Sequence, residues 1–355
     1  MNYKHIVITG GAGFVGSNLA IKLKTDFPEL NITCLDNLKR RGSELAIKRL
    51  KDLSIDFIHG DIRNKEDLVF DNVDLLIECS AEPSVLAGIN SAPDYLINTN
   101  LTGTLNCLEV ARQHQSHVMF LSTSRIYPIS YINNLDFKET ETRFAISDNQ
   151  KIAGASSLGI AENFPLDASR SLYGATKLAS ELFLTEYIDT YGLKAINNRC
   201  GVITGPWQMG KVDQGVFVLW VAKHYFNKQL AYIGYGGEGK QVRDFIHIDD
   251  LYRAIATELK DFDTYANDTW NIGGGLENSV SLKELTALCE EVTGNKITID
   301  SIKEDRPADL RFFITDSTKF LEKSGLKWEK DAKATVTDIY EWIKSNEKDL
   351  EPILA

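Results

Sequence analysis

Through the first two hundred residues, short apolar runs alternate with stretches of helical periodicity. Strands are predicted at 5–9, 31–36, 56–60, 74–80, 117–123 and 194–203. Such alternation is the rhythm of a parallel sheet whose strands are covered on both faces. Helices are predicted between them, among them 102–113 and 173–191. In the second, Leu178, Leu182, Phe183 and Tyr187 recur at helical spacing. The rhythm is that of an α/β, doubly wound parallel sheet occupying residues 1–205. Beyond Gly205 it loosens into Gly-rich turns (234–239 and 273–275) and isolated elements. A smaller C-terminal α/β lobe is expected over 206–355, with part of 240–275 returning to the first domain. Residues 145–169, rich in Ser, Ala, Gly and Asn, read as one long loop of the kind that often carries function.

Composition narrows the possibilities. Hydrophobic residues make up 43% and charged residues 25%, which is ordinary globular usage. Asp and Glu number 50 against 39 Lys and Arg, a net charge of -11. That excess argues against a nucleic-acid partner held by phosphate neutralisation. The five cysteines (Cys34, Cys79, Cys107, Cys200 and Cys289) are dispersed and form no C-x-x-C pair. A reduced, cytoplasmic setting is expected rather than a disulfide framework. No signal peptide and no membrane span is read in the chain. His247 has no second histidine at metal-ligand spacing and is read as structural, so no metal is expected.

Candidate chemistry starts at Thr9-Gly-Gly-Ala-Gly-Phe-Val-Gly16, which follows a strand and opens a helix. The spacing Gly10, Gly13, Gly16 suits a tight turn, close approach of a pyrophosphate to helix N-terminal amides, and close helix–strand packing. Asp36 ends the second strand about twenty residues later, where a carboxylate accepts bonds from ribose hydroxyls and repels a 2'-phosphate. The pattern is a Rossmann-type NAD site, with NAD favoured over NADP. Asp61, in Gly60-Asp-Ile62, is placed either to meet the adenine amino group or to cap a helix.

Tyr173 and Lys177 form Y-x-x-x-K, which puts both side chains on one helix face. Free tyrosine has a pKa of about 10, so it serves as a base near neutrality only beside a cation. Thr123 ends its strand at the edge that faces the ligand crevice in open α/β sheets. The three fit a site where Thr123 binds a sugar hydroxyl and Tyr173 takes its proton. The plain alternative is that Thr123 caps a turn and Tyr173 merely packs. A non-catalytic NAD-sensing protein on the same scaffold would be free to lose Tyr173 and Lys177, and this chain keeps both.

Together with Asn100 in N-x-x-G-T, these motifs resemble the extended short-chain dehydrogenase/reductase family of nucleotide-sugar epimerases and dehydratases. The resemblance covers nearly the whole chain. It implies NAD contacts at Gly10, Gly13, Phe14, Val15, Gly16, Asp36, Asn37, Asp61, Ile62, Ala81, Asn100, Tyr173 and Lys177. It also implies a homodimer built through the 102 and 173 helices, and a smaller lobe that holds a nucleotide diphosphate. Family dehydratases carry Asp-Glu directly after the threonine, whereas this chain has Ser124-Arg125. The segments Asp36-Asn-Leu-Lys-Arg-Arg-Gly42, Gly60-Asp-Ile-Arg-Asn64, Asp213-Gln-Gly215 and Gly239-Lys-Gln-Val-Arg-Asp244 resemble the branch that inverts C2 of CDP-linked 3,6-dideoxyhexoses. The same scaffold also serves 4-epimerases and reductases. Substrate contacts are expected at Thr123, at Glu82, and at Arg243 and Arg311, whose guanidinium forks suit phosphate. Salt bridges to Asp244 or Asp309 are the alternative use of those arginines. Val202 stands where 4-epimerases carry an asparagine, and Glu82 where relatives carry a neutral residue.

Overall fold

The computed structural model describes residues 3–89, 91–211 and 214–355. The six predicted runs and a seventh segment that was not predicted, Asp268–Ile272, become seven strands: β1 (His5–Thr9), β2 (Asn31–Asp36), β3 (Asp56–His59), β4 (Leu75–Glu78), β5 (His117–Thr123), β6 (Ala195–Cys200) and β7 (Asp268–Ile272). They form one sheet in the order β3-β2-β1-β4-β5-β6-β7. β1 pairs in parallel with β2 and β4, β2 with β3, and β4 with β5. The chain runs outward from β1 to β3, then returns to the other side of β1. The carboxyl ends of β1 and β4 therefore flank the switch point at which such sheets bind ligands.

Four helices matter to this sheet: α1 (Phe14–Asp26), α2 (Glu44–Asp52), α3 (Gly103–His114) and α4 (Leu172–Tyr191). Leu108 and Ala111 of α3 and Leu184 of α4 bury against Val118 and Phe120 of β5 and Ala195 of β6. A helix Ile248–Lys260, here α5, completes the set. Among the described residues, no helix is long and apolar enough to cross a membrane.

Two compact units result. The first comprises the chain through Ile126, then Leu172–Arg199 and Tyr252–Trp270; the second comprises Tyr127–Ser171, Cys200–Leu251 and Asn271–Ala355. This division departs from an unbroken first domain over 1–205. Tyr127–Ser171 goes to the second unit because its short strands bond there. Ile160 N–H donates to the Ile314 carbonyl (2.9 Å) and Phe144 N–H to the Lys240 carbonyl (3.0 Å). The segment expected to be a plain loop over 145–169 contains a small ladder, Ala155–Ser156 with Gly159–Ile160. The strand expected over 194–203 is in fact two, because Gly201 interrupts it. A Cβ on Gly201 would come 2.9 Å from Thr315 Oγ1 and 3.1 Å from Asp244 Oδ2. After it, Val202–Thr204 pairs in parallel with Val242–His247 in the second unit.

Candidate active site

The glycine turn is built for close approach. Gly10 has φ +65°, and a Cβ there would stand 2.9 Å from the Cys79 carbonyl and the Ser80 amide at the end of β4. A Cβ on Gly16 would overlap the Gly10 carbonyl, so α1 presses on the turn only because neither residue has a side chain. Gly13 caps α1 without a side-chain bond, and the first turn, Phe14 onward, holds no acid. The orphan amides of this helix end suit an anion. Asp36 braces the turn from β2: Oδ2 accepts from the Ala12 and Gly13 amides (3.1 Å each) and Oδ1 from Leu38 N–H (2.8 Å). Burial pushes this carboxyl above its ordinary range, against the pull of those amides. A glycine cradle, a bare helix end and a carboxylate together fit a dinucleotide.

Farther along, Asn37 Nδ2 donates to Asp61 Oδ2 (2.9 Å), and Arg63 grips the same carboxylate through Nε (2.9 Å) and Nη2 (2.7 Å). Burial acts to raise the Asp61 carboxyl, but the Arg63 and Asn37 bonds outweigh it and hold it down near 2. Ile62 is a core side chain, packed with Val7, Leu35 and Cys107, and its carbonyl accepts from Asn106 (2.8 Å).

Asn100 lies in a π-helical turn, Asn98–Thr102, a distortion that recurs at functional sites. Its Oδ1 accepts from Glu82 N–H (2.8 Å), while its Nδ2 donates to the Glu82 carbonyl (3.0 Å) and to Thr176 Oγ1 (3.3 Å). The Asn100 carbonyl accepts from Ser180 Oγ on α4 (2.9 Å). The segment after Ala81 is thereby fixed to the helix that carries Tyr173 and Lys177. Glu82 turns its carboxylate back on its own loop, accepting from Ser84 N–H (3.2 Å).

Thr123 ends β5, and α4 packs on both β5 and the turn Ser124–Ile126 that follows. The strand that ends in Thr123 and the helix that carries Tyr173 and Lys177 thus pack together. Thr123 Oγ1 accepts from Arg125 N–H (3.2 Å), Tyr173 is 8% exposed, and Lys177 is fully buried.

In the second unit, Arg243 pairs with Asp309 (3.0 Å) and also donates to the Leu310 carbonyl (2.8 Å). The guanidinium of Arg311 lies over the rings of Phe137 (4.4 Å), Tyr235 (5.3 Å) and Phe144 (5.8 Å). Of the Asp213-Gln-Gly215 motif, Asp213 falls outside the described residues; Gly215 precedes the helix Val216–Tyr225 in a left-handed conformation. His247 is buried, and its Nδ1 takes the Asp249 amide (3.1 Å).

Two features escaped the sequence reading. Glu78, the last residue of β4, is buried and pairs with Lys177 (3.5 Å). Its signal was an acid at the end of the run Leu75-Leu-Ile-Glu78. Glu181 of α4 is also buried and joins Ser122 of β5 to Arg199 of β6. Its spacing, one turn past Lys177, was visible, but its partners lie in distant strands.

Comparison with known proteins matches residues 6–273 to the NAD dependent epimerase/dehydratase family. Over 354 residues the chain is 31% identical to CDP-paratose 2-epimerase of Salmonella typhi, covering 96% of this chain and 99% of that protein. The fold is shared with UDP-glucuronic acid 4-epimerase from Bacillus cereus, solved with UDP-glucuronic acid and NAD (TM-score 0.79, 22% identity, 96% and 99% of the two chains). It is likewise shared with dTDP-glucose 4,6-dehydratase from Streptomyces venezuelae, solved with NAD (TM-score 0.78, 25% identity, 98% and 99%).

Proposed function

The chain belongs to the NAD dependent epimerase/dehydratase family and is an NAD-using enzyme, and we propose that it inverts C2 of a nucleotide-diphosphate 3,6-dideoxyhexose, with CDP as the nucleotide. The observation that carries this reading is the 31% identity to a 2-epimerase across nearly the full length of both chains, with Thr123, Tyr173 and Lys177 in place.

The chemistry is coherent. C2 of such a sugar lies between the anomeric carbon and a deoxy carbon, with no neighbouring carbonyl to acidify its C–H. Inversion therefore requires oxidation to a ketone, presentation of the other face, and reduction. Bound NAD supplies the acceptor and donor of hydride. Thr123 donates its hydroxyl hydrogen bond to the reacting oxygen and fixes its distance from Tyr173. Tyr173, beside the Lys177 ammonium, removes the hydroxyl proton and later returns it. Ser124 and Arg125, in the turn after Thr123, supply no Asp-Glu pair for eliminating water, which separates this site from a dehydratase. In this reading Arg243 and Arg311 contact the diphosphate, and Arg243 exchanges its Asp309 partner for phosphate oxygens on binding.

A homodimer fits the exposed apolar residues of α4, Leu182 and Phe183. Five cysteines with no disulfide among the described residues fit a cytoplasmic location.

The test is incubation with CDP-paratose and CDP-tyvelose in deuterated buffer, without added cofactor, following the sugar protons by NMR. Interconversion with no deuterium at C2 supports oxidation with return of the same hydride. Absence of interconversion, with turnover of a UDP- or GDP-sugar instead, moves the substrate and makes 4-epimerisation the reading. Net consumption of NADH would make it a reductase.

A further inference from the structure

Lys177 reaches the sheet over a particular row of residues. β1, β4 and β5 are in parallel register, so Thr9, Glu78 and Phe120 stand side by side with their side chains on one face. From α4, Lys177 Nζ comes within 3.5 Å of Glu78 Oε2 and 4.0 Å of the Phe120 ring centre. The two charged side chains are 2% and 1% exposed, and Glu78 Oε1 has no hydrogen-bond partner among the described residues. Cys107 of α3 also faces the pair; burial, and then Glu78, hold its thiol well above the ordinary range, so it contributes no charge. Tyr173 stands one helical turn before Lys177.

A buried ion pair is a poor way to gain stability, because desolvation offsets most of the attraction. This one includes the lysine of the Y-x-x-x-K motif, one helical turn after Tyr173. We propose that Glu78 is a positioning residue of the reaction: it fixes the side chain of Lys177, and the lysine so held in turn keeps Tyr173 acidic enough to exchange the sugar's proton. The proposal rests on the roles given above to Tyr173 and Lys177. Burial drives the Glu78 carboxyl above its ordinary range, and the neighbouring Lys177 draws it only part of the way back. Without Glu78, the Lys177 side chain loses its charged anchor on the sheet. Tyr173 then loses its cation and drifts toward the value of about 10 of free tyrosine.

The experiment reads Tyr173 directly and needs no substrate. In the NAD-loaded enzyme, phenolate absorbance is followed against pH as the difference between the parent and Tyr173→Phe, then between Glu78→Gln and Glu78→Gln/Tyr173→Phe. The parent midpoint is expected well below that of free tyrosine, and Glu78→Gln is expected to raise it by about one pH unit or more. NAD affinity, read by calorimetry, should weaken alongside, since Lys177 is no longer held in place. Glu78→Asp keeps the carboxylate one methylene farther back and should give an intermediate midpoint, which preserves the test if the glutamine variant does not fold. A midpoint that stays put or falls in both variants overturns the role of Glu78 and leaves only a packing role, visible as a lower melting temperature. A parent midpoint no lower than that of free tyrosine overturns the Tyr173–Lys177 reading itself, and the proposal with it.

Discussion

The helix that presents Tyr173 and Lys177 is held to the sheet by a buried charge, and replacing Arg199 with Met isolates that restraint. Glu181 of α4 accepts from Ser122 Oγ at 2.5 Å and from Arg199 Nη2 at 2.8 Å, with Arg199 Nε at 3.1–3.2 Å from both carboxylate oxygens. The Arg199 and Glu181 side chains are only 9% and 6% exposed. Methionine replaces the arginine's aliphatic stem but leaves Glu181 buried without its cation. Removing one partner of such a pair costs about 3–5 kcal/mol. In Glu181→Leu/Arg199→Met both charges are gone, and most of the loss should return, less about 1 kcal/mol for the Ser122 hydroxyl left without its acceptor. Urea unfolding followed by two probes, fluorescence and circular dichroism, measures these differences wherever the two transitions coincide. Because Ser122 adjoins Thr123, turnover should fall in the single variant and recover in part in the double. A loss below about 1 kcal/mol for Arg199→Met, or a double variant as unstable as the two singles summed, would refute the argument.

Three further outcomes are expected. Tyr173→Phe should lower turnover about 10²- to 10⁴-fold while NAD affinity stays within a few-fold, as read by calorimetry and NMR of the sugar. Asp36→Ala removes the acceptor for the Ala12, Gly13 and Leu38 amides, so NAD binding should weaken and discrimination against NADP shrink; unchanged selectivity would separate Asp36 from the ribose. Glu258 of α5 is buried, with Asn198 Nδ2 donating to it at 2.8 Å, and burial pushes its carboxyl up to about 8. The folded state thus holds a proton that the unfolded chain releases near 4.5. Stability from this group is full below that value, falls as pH rises to about 8, and is then flat. Glu258→Gln should remove a pH-dependent loss on the order of 4 kcal/mol, seen by comparing urea midpoints at pH 5 and pH 9.

Six of the seven strands were legible from their apolar runs, and Gly10, Gly13, Gly16 and Asp36 because each answers a local demand of the turn that β1 makes into α1; β7, Asp-Thr-Trp-Asn-Ile, has too few apolar positions to stand out. Thr123, Tyr173 and Lys177 were legible from their spacing and from the strand end and helix face they occupy. The division of the chain was not, since the segment Tyr127–Ser171 declares its allegiance through bonds to residues such as Ile314 and Lys240, far away in sequence. Gly201 read as an ordinary strand residue; the side chains crowding it, Thr315 and Asp244, come from distant segments. Glu78 and Glu181 were hidden for the same reason. A carboxylate in an apolar run says that a partner exists without saying which.

The path of the chain, leaving one unit for the other after Ile126, Ser171, Arg199, Leu251 and Trp270, bears on how the protein is made. β7 and α5 belong largely to the unit that begins with β1, so a ribosome must deliver some 270 residues before the sheet has all its strands. Until then β6 is the outermost strand, its backbone groups unpaired on the side β7 will take, a state that invites wrong partners.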